Sequence, residues 1–288
     1  MLLTLSSAPL FAASTHSLSV EYAKTDRYLQ GQSQRYRYQP ETNTLYYTYT
    51  ANDFWHVGAS IWRGSTEERF GDAELPFKEE HKGFGLNVTA YYENWSWHLA
   101  MSRSDSELDV RSQSATFLYE EDNQYSDINL TLDHLFAFRF MDVVPSVGLG
   151  FQRSKVKATR ASVFPGSFAL EDQNNEEQES TFGFIGLSVS TWFDLHSDVF
   201  LLPNLQLSWT ESIEGEATSS LSRVGQGRGQ QRRFSAETDS DLEGDGSGFI
   251  AVSLALLIEA IQLRVNYVRT VALEENAETT SLELGYSF

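Results

Sequence analysis

The sequence has no cysteine among its 288 residues, which excludes a disulfide framework and any thiolate metal site. Basic residues are scarce too: 21 Lys and Arg stand against 40 Asp and Glu, a formal net charge of −19. Nucleic acid requires a basic face, so it is excluded as a partner class. Long apolar runs are missing as well. The longest, "GFIAVSLALLIEAI" over 248–261, carries Ser253 and Glu259 and falls short of the roughly 18 apolar residues a spanning helix needs. A mean hydropathy of −0.35 does not put the chain in water. Membrane barrels alternate lipid-facing and lumen-facing residues, so their average is low.

Aromatic residues are abundant: 19 Phe, 13 Tyr and 6 Trp, as interfacial girdles of a membrane barrel would require. Period-two alternation, the signal of half-buried strands, recurs along the whole chain. In "LSVEY", Leu18, Val20 and Tyr22 alternate with Ser19 and Glu21. In "WSWHLAMS", Trp95, Trp97, Leu99 and Met101 oppose Ser96, His98, Ala100 and Ser102. "IQLRVNY" sets Ile261, Leu263, Val265 and Tyr267 against Gln262, Arg264 and Asn266. About 12 such strands are expected, an even number, as single-chain bacterial barrels have.

The connections also alternate. Short ones fall near 51–53, 93–95, 139–142, 194–198 and 259–260, and long polar ones cover 29–42, 64–82, 105–125, 157–179 and 214–246. This pattern predicts an all-β, antiparallel up-and-down transmembrane barrel with short periplasmic turns and long extracellular loops. A soluble sandwich has no reason for strict long–short alternation. Residues 1–13, "MLLTLSSAPLFAA", read as a signal peptide truncated at its basic end, and 14–288 as the barrel domain.

The chain ends "TTSLELGYSF", with Leu282, Leu284, Tyr286 and Phe288 on one face. Alternating apolar residues, Gly-Tyr and a final Phe resemble the C-terminal assembly signal of Gram-negative outer-membrane proteins. The resemblance implies recognition by the outer-membrane barrel-insertion machinery, and contact with outer-membrane lipid and lipopolysaccharide. With "FLLPNLQLSWTES" over 200–212 and the strand count, the chain further resembles the 12-stranded translocator barrel of autotransporters. It departs from that family in one respect. The first strand begins near Ser17, directly after the signal, where no passenger fits. The resemblance therefore implies the barrel and not the secretion function.

The inward face is expected to carry Glu21, His56, His98, Asp133, Arg264 and Glu283 among small and hydroxylated residues. Arg264 and Glu283 fall on neighbouring strands, where an ion pair would stabilise a polar lumen. Inward Trp62, Tyr91 and Trp192 would narrow the lumen or plug it. The leading function is a passive pore or small-solute channel. The alternative is a non-conducting surface barrel, acting in adhesion or envelope integrity, or as an autotransporter-like barrel without a passenger. A barrel-embedded hydrolase is third, and a Ser or Asp within hydrogen-bond reach of His56 or His98 would favour it. No catalytic, metal or cofactor motif is expected. "DSDLEGDG" at 239–246 begins like a calcium loop but places Ile250 where a bidentate Glu is required. "RVGQGRGQQRR" concentrates Arg223, Arg228, Arg232 and Arg233 just before that acidic block. Mutual attraction could fold the two over the mouth, and the basic block could bind lipopolysaccharide.

Overall fold

A computed structural model describes residues 16–30, 35–52, 54–70, 75–111, 117–164, 168–196, 198–227, 230–241, 246–272 and 277–288. The signal-peptide reading of 1–13 lies outside them. Twelve strands form the wall: β1 (His16–Gln30), β3 (Glu41–Asn52), β4 (Trp55–Phe70), β5 (Leu75–Tyr92), β6 (Trp95–Arg111), β7 (Phe117–His134), β9 (Asp142–Phe164), β10 (Phe168–Ser190), β12 (Val199–Gly227), β14 (Gly246–Ile258), β15 (Ile261–Ala272) and β16 (Glu278–Ser287). Four shorter segments extend hairpins: β2 (Arg35–Tyr38), β8 (Phe136–Ala137), β11 (Phe193–His196) and β13 (Gln230–Asp241).

Every wall strand pairs antiparallel with its sequence neighbours, and β16 returns to β1 with Ser17 opposite Ser287 and Glu21 opposite Glu283. Closure removes the edges that lipid could not hydrate. The last residue completes it. Phe288 N–H donates to His16 O at 2.9 Å, and His16 N–H donates to Phe288 O at 3.1 Å. The Phe288 ring also stacks on His16, centroids 5.6 Å apart.

Burial is the reverse of a soluble protein's. Among the described residues only seven hydrophobic side chains are buried, whereas Trp97, Leu130, Leu149, Leu254 and Leu284 stand 47–58% exposed on the outer wall. In water so extensive an apolar surface would aggregate; around a closed barrel it is the lipid-facing belt. The outward run Trp95, Trp97, Leu99, Met101 covers about 20 Å of strand, and neighbouring strands carry matching runs. No helix among the described residues is long and apolar enough to cross a membrane; the crossing is made by strands.

The short connections are as expected. Glu93 and Glu259, in two of the tightest turns, adopt left-handed backbone with φ of 55° and 50°. His16 and Phe288 lie on this periplasmic side. The long polar segments differ from the expectation. β4 and β5 remain paired as far as Phe70 opposite Leu75, β6 and β7 as far as Arg111 opposite Leu118, and β9 and β10 as far as Phe164 opposite Phe168. Most of each expected loop is therefore wall. With water on both sides, these rungs need no apolar face, so a polar sequence forms them as readily as a loop.

Candidate functional site

Alternation turns the polar half of each strand inward, so the lumen is the candidate site. All six lumen residues named from sequence share the inward parity of their strands. Arg264 lies directly opposite Glu283, and its Nη1 is 3.5 Å from Oε2. Glu21 is 3% exposed and accepts a 2.6 Å hydrogen bond from the Tyr46 hydroxyl. Asn266 donates to Ser281 at 3.1 Å, continuing this polar ladder up the closing strands.

A second group lies near the periplasmic end. The Asp133 carboxylate is 2.9 Å from His98 Nε2. Because a carboxylate only accepts, Nε2 carries a proton, and Nδ1 lies 2.8 Å from the Thr89 hydroxyl. Ser96 Oγ is also 3.2 Å from Nε2. Asp133 is 5% exposed, and its second oxygen has no partner among the described residues. His56 packs edge-on against Tyr91 at 4.9 Å, and Tyr91 meets His98 at 6.5 Å.

Several lumen residues were not picked out from sequence. Asp127, 6% exposed, accepts from Asn129 Nδ2 at 2.5 Å and from Ser102. It continues the alternation of Asp133, Thr131 and Asn129, so its signal was present. Phe182 and Phe184, each 6% exposed, point inward among hydrophilic neighbours. Their rings lie where side chains on Gly150 and Gly148 of β9 would otherwise stand, and Trp62 covers Gly83 in the same way. The large rings therefore lie flat on the wall instead of crossing the lumen. Among the other inward side chains Ser19, Ser60, Ala100, Ser146, Gln206 and Ser253 are half-buried, and Thr44, Thr131, Ser180, Ser188 and Ser281 are buried. Trp192 falls between β10 and β11 at the periplasmic rim, below the lumen.

At the level of the apolar belt four carboxylates face inward, Glu21, Asp127, Asp133 and Glu283, against the one guanidinium of Arg264. The outer end carries an apolar cluster. Tyr38 reaches Phe77, which is 1% exposed, with ring centroids 4.9 Å apart, and Leu108 and Val110 complete the cluster. The chain bends there, with Gln39 N–H donating to Glu68 at 3.0 Å and its amide donating to Asp26 at 2.5 Å.

The expected attraction between the Arg-rich and acidic blocks is not what organises β12 and β13. Arg223 instead clamps Asp172 of β10 through two bonds of 2.6 and 2.9 Å. Arg232 and Arg233 pair near the hairpin tip while Asp239 and Asp241 pair at its base, so the two blocks are held apart along one ladder. Arg228 and residues 242–245 lie outside the described residues. No group of three or more metal-ligating side chains occurs among the described residues.

No family model matches the chain, and no curated protein does. Solved structures do. The translocator domain of autotransporter NalP from Neisseria meningitidis superposes with a TM-score of 0.62 over 96% of this chain and 90% of that one, at 11% identity. The beta domain of the Bordetella autotransporter BrkA gives 0.60 over 96% and 100%, again at 11% identity. Likeness at this identity concerns the fold. Twelve strands closed on themselves, an apolar belt outside, a polar lumen inside and this shared fold make the chain an integral β-barrel of the bacterial outer membrane, built like an autotransporter translocator barrel.

Proposed function

We propose that the barrel is a passive, cation-preferring pore for small polar solutes, narrowed at its outer mouth. One observation carries this reading: the lumen is lined by small and hydroxylated side chains, some of them half-buried, and three of its large rings, Phe182, Phe184 and Trp62, lie over wall glycines. Four inward carboxylates against one guanidinium favour cations over anions. The Tyr38–Phe77 cluster sets the narrowest point. The terminal residues Leu282, Leu284, Tyr286 and Phe288 act as the signal read by the barrel-insertion machinery. Residues 1–13 act as the export signal and 14–288 form the one functional domain. Liposome swelling tests the pore: vesicles holding the refolded barrel should swell in small sugars at rates falling with solute size. Swelling no faster than protein-free vesicles would replace the pore by the non-conducting surface barrel.

A second reading rests on the Thr89–His98–Asp133 arrangement. A hydroxyl donating to an imidazole that is oriented by a carboxylate is the general form of an activated nucleophile. It ranks below the pore because backbone N–H groups in a closed sheet are already paired, so side chains would have to hold an oxyanion. Labelling of Thr89 by a fluorophosphonate, abolished by His98→Ala, would promote it.

A further inference from the structure

Where each strand leaves the apolar belt, the first outward charge has a characteristic partner. Lys24 on β1 meets Glu41 on β3 at 3.7 Å, Arg153 on β9 meets Glu179 on β10 at 3.0 Å, and Arg269 on β15 meets Glu278 on β16 at 3.8 Å. On three consecutive strands the first outward charges are all basic. Arg63 on β4, Lys82 on β5 and Arg103 on β6 are all basic and all exposed, and each follows the last outward apolar residue of its strand: Ile61, Phe84 and Met101.

Arg63 and Lys82 are directly opposite one another. Arg103 stands diagonal to Lys82, opposite Phe84. Such positions put side chains about 5 Å and 7–8 Å apart, where like charges repel. The repulsion is relieved only in part. Arg63 reaches Glu80 Oε2 at 3.8 Å, and the same carboxylate is shared with Lys78, 2.6 Å from Oε1. Asp105, opposite Lys82, is half-buried and makes no ion pair with it; on the β7 side Arg103 faces Ser126. Neither Lys82 nor Arg103 has an ion-pair partner among the described residues. In a chain of net charge −19, three adjacent cations at one height, two of them without an ion-pair partner among the described residues, form a site for an external anion.

We infer that this patch on the outer wall of β4–β6 binds the phosphate groups of the outer-leaflet glycolipid, the lipid A of lipopolysaccharide. Its height decides the occupant. The cations sit directly above Ile61, Phe84 and Met101 on the side opposite His16 and Phe288, so one molecule can lay acyl chains on the belt and bring phosphates to the three bases. A soluble anion would gain only the second contact. The inference rests on the outer-membrane orientation and not on the pore.

The test uses the purified full chain in detergent with three lipids: bisphosphorylated lipid A, the same lipid with its phosphates removed, and phosphatidylglycerol. Binding is read by native mass spectrometry. Bisphosphorylated lipid A should bind best, and losing its phosphates should weaken it at least tenfold. Each cation near a membrane surface contributes about fivefold, so Lys82→Gln should lose about that much and the triple variant Arg63→Gln/Lys82→Gln/Arg103→Gln more than tenfold. Arg269→Gln, which removes a paired base at the same level, should bind like the parent. The single Lys82→Gln variant keeps the test decisive if the triple variant folds poorly. Equal binding to parent and Lys82→Gln, equal binding of dephosphorylated lipid, or equal binding of phosphatidylglycerol would each overturn the assignment.

Discussion

The contact between Phe182 and Gly150 joins stability to pore width, and a single added methyl tests it. A Cβ built on Gly150 would fall 2.7 Å from Phe182 Cε2 and nearer still to Cζ and to Asn129 Oδ1, closer than real Cβ atoms come to anything. Gly150→Ala must therefore lift the ring off β9, and the direction left to it is the lumen. Small-to-large changes in a packed site cost about 1–3 kcal/mol. The ring's share of that cost should vanish in the Phe182→Ala background, leaving the share that comes from Asn129 Oδ1. Urea titration of the barrel refolded in lipid vesicles measures the four corners of the cycle. A coupling of about 1 kcal/mol or more is expected. Single-channel current should fall in Gly150→Ala and rise in Phe182→Ala. Additivity within about 0.5 kcal/mol, with current unchanged in both variants, would refute the claim that the ring lies on the glycine.

The remaining predictions concern charge, the outer mouth and closure. Glu21→Gln with Asp127→Asn should reduce cation preference in reversal-potential measurements, because two of the four inward carboxylates are neutralised. Arg264→Ala leaves Glu283, whose side chain is 14% exposed, without its guanidinium; it should raise cation preference and destabilise the barrel by about 3 kcal/mol, read from the shift in its unfolding transition. Phe77→Ala should widen the outer end and increase conductance without changing the sign of selectivity. Above the membrane, hydrogen bonds from Arg153 and Lys155 hold Glu177 below the usual carboxylate range. A depressed carboxylate stabilises above its unfolded value near 4.5 and loses that contribution as pH falls through the folded value. Hydrogen exchange at the top of β9 and β10 should therefore quicken below about pH 4.5 relative to β15 and β16. Deleting Phe288 removes the last rung with His16 and should slow assembly, read from the rate at which the heat-modifiable folded band appears.

The wall was legible because each strand has one lipid face. Outward Leu and inward Ser cannot exchange without placing the wrong atoms in lipid, so the alternation around Glu21, His98 or Arg264 already fixed their direction. Above the membrane that constraint ends. In stretches such as "TEERF" or "KVKATR" both faces are wet, nothing separates a solvated strand from a loop by pattern, and the upper wall read as loops. Lumen contacts were hidden for another reason. That Phe182 lies on Gly150, or that Asp133 meets His98 across 35 positions, depends on cross-strand register. Register is set by closure of the whole barrel and not by any local stretch. The Arg264–Glu283 pair was visible because both residues lie on one hairpin joined to the chain end.

Single-channel recording in a planar bilayer under a KCl gradient tests the central claim, a wet and net-acidic lumen crossing the outer membrane, most directly. The account predicts discrete steps and a reversal potential displaced toward that of K⁺, shrinking in Glu21→Gln/Asp127→Asn. A barrel shown to be folded and inserted that passes no current, or one whose reversal potential lies toward that of Cl⁻, would contradict it.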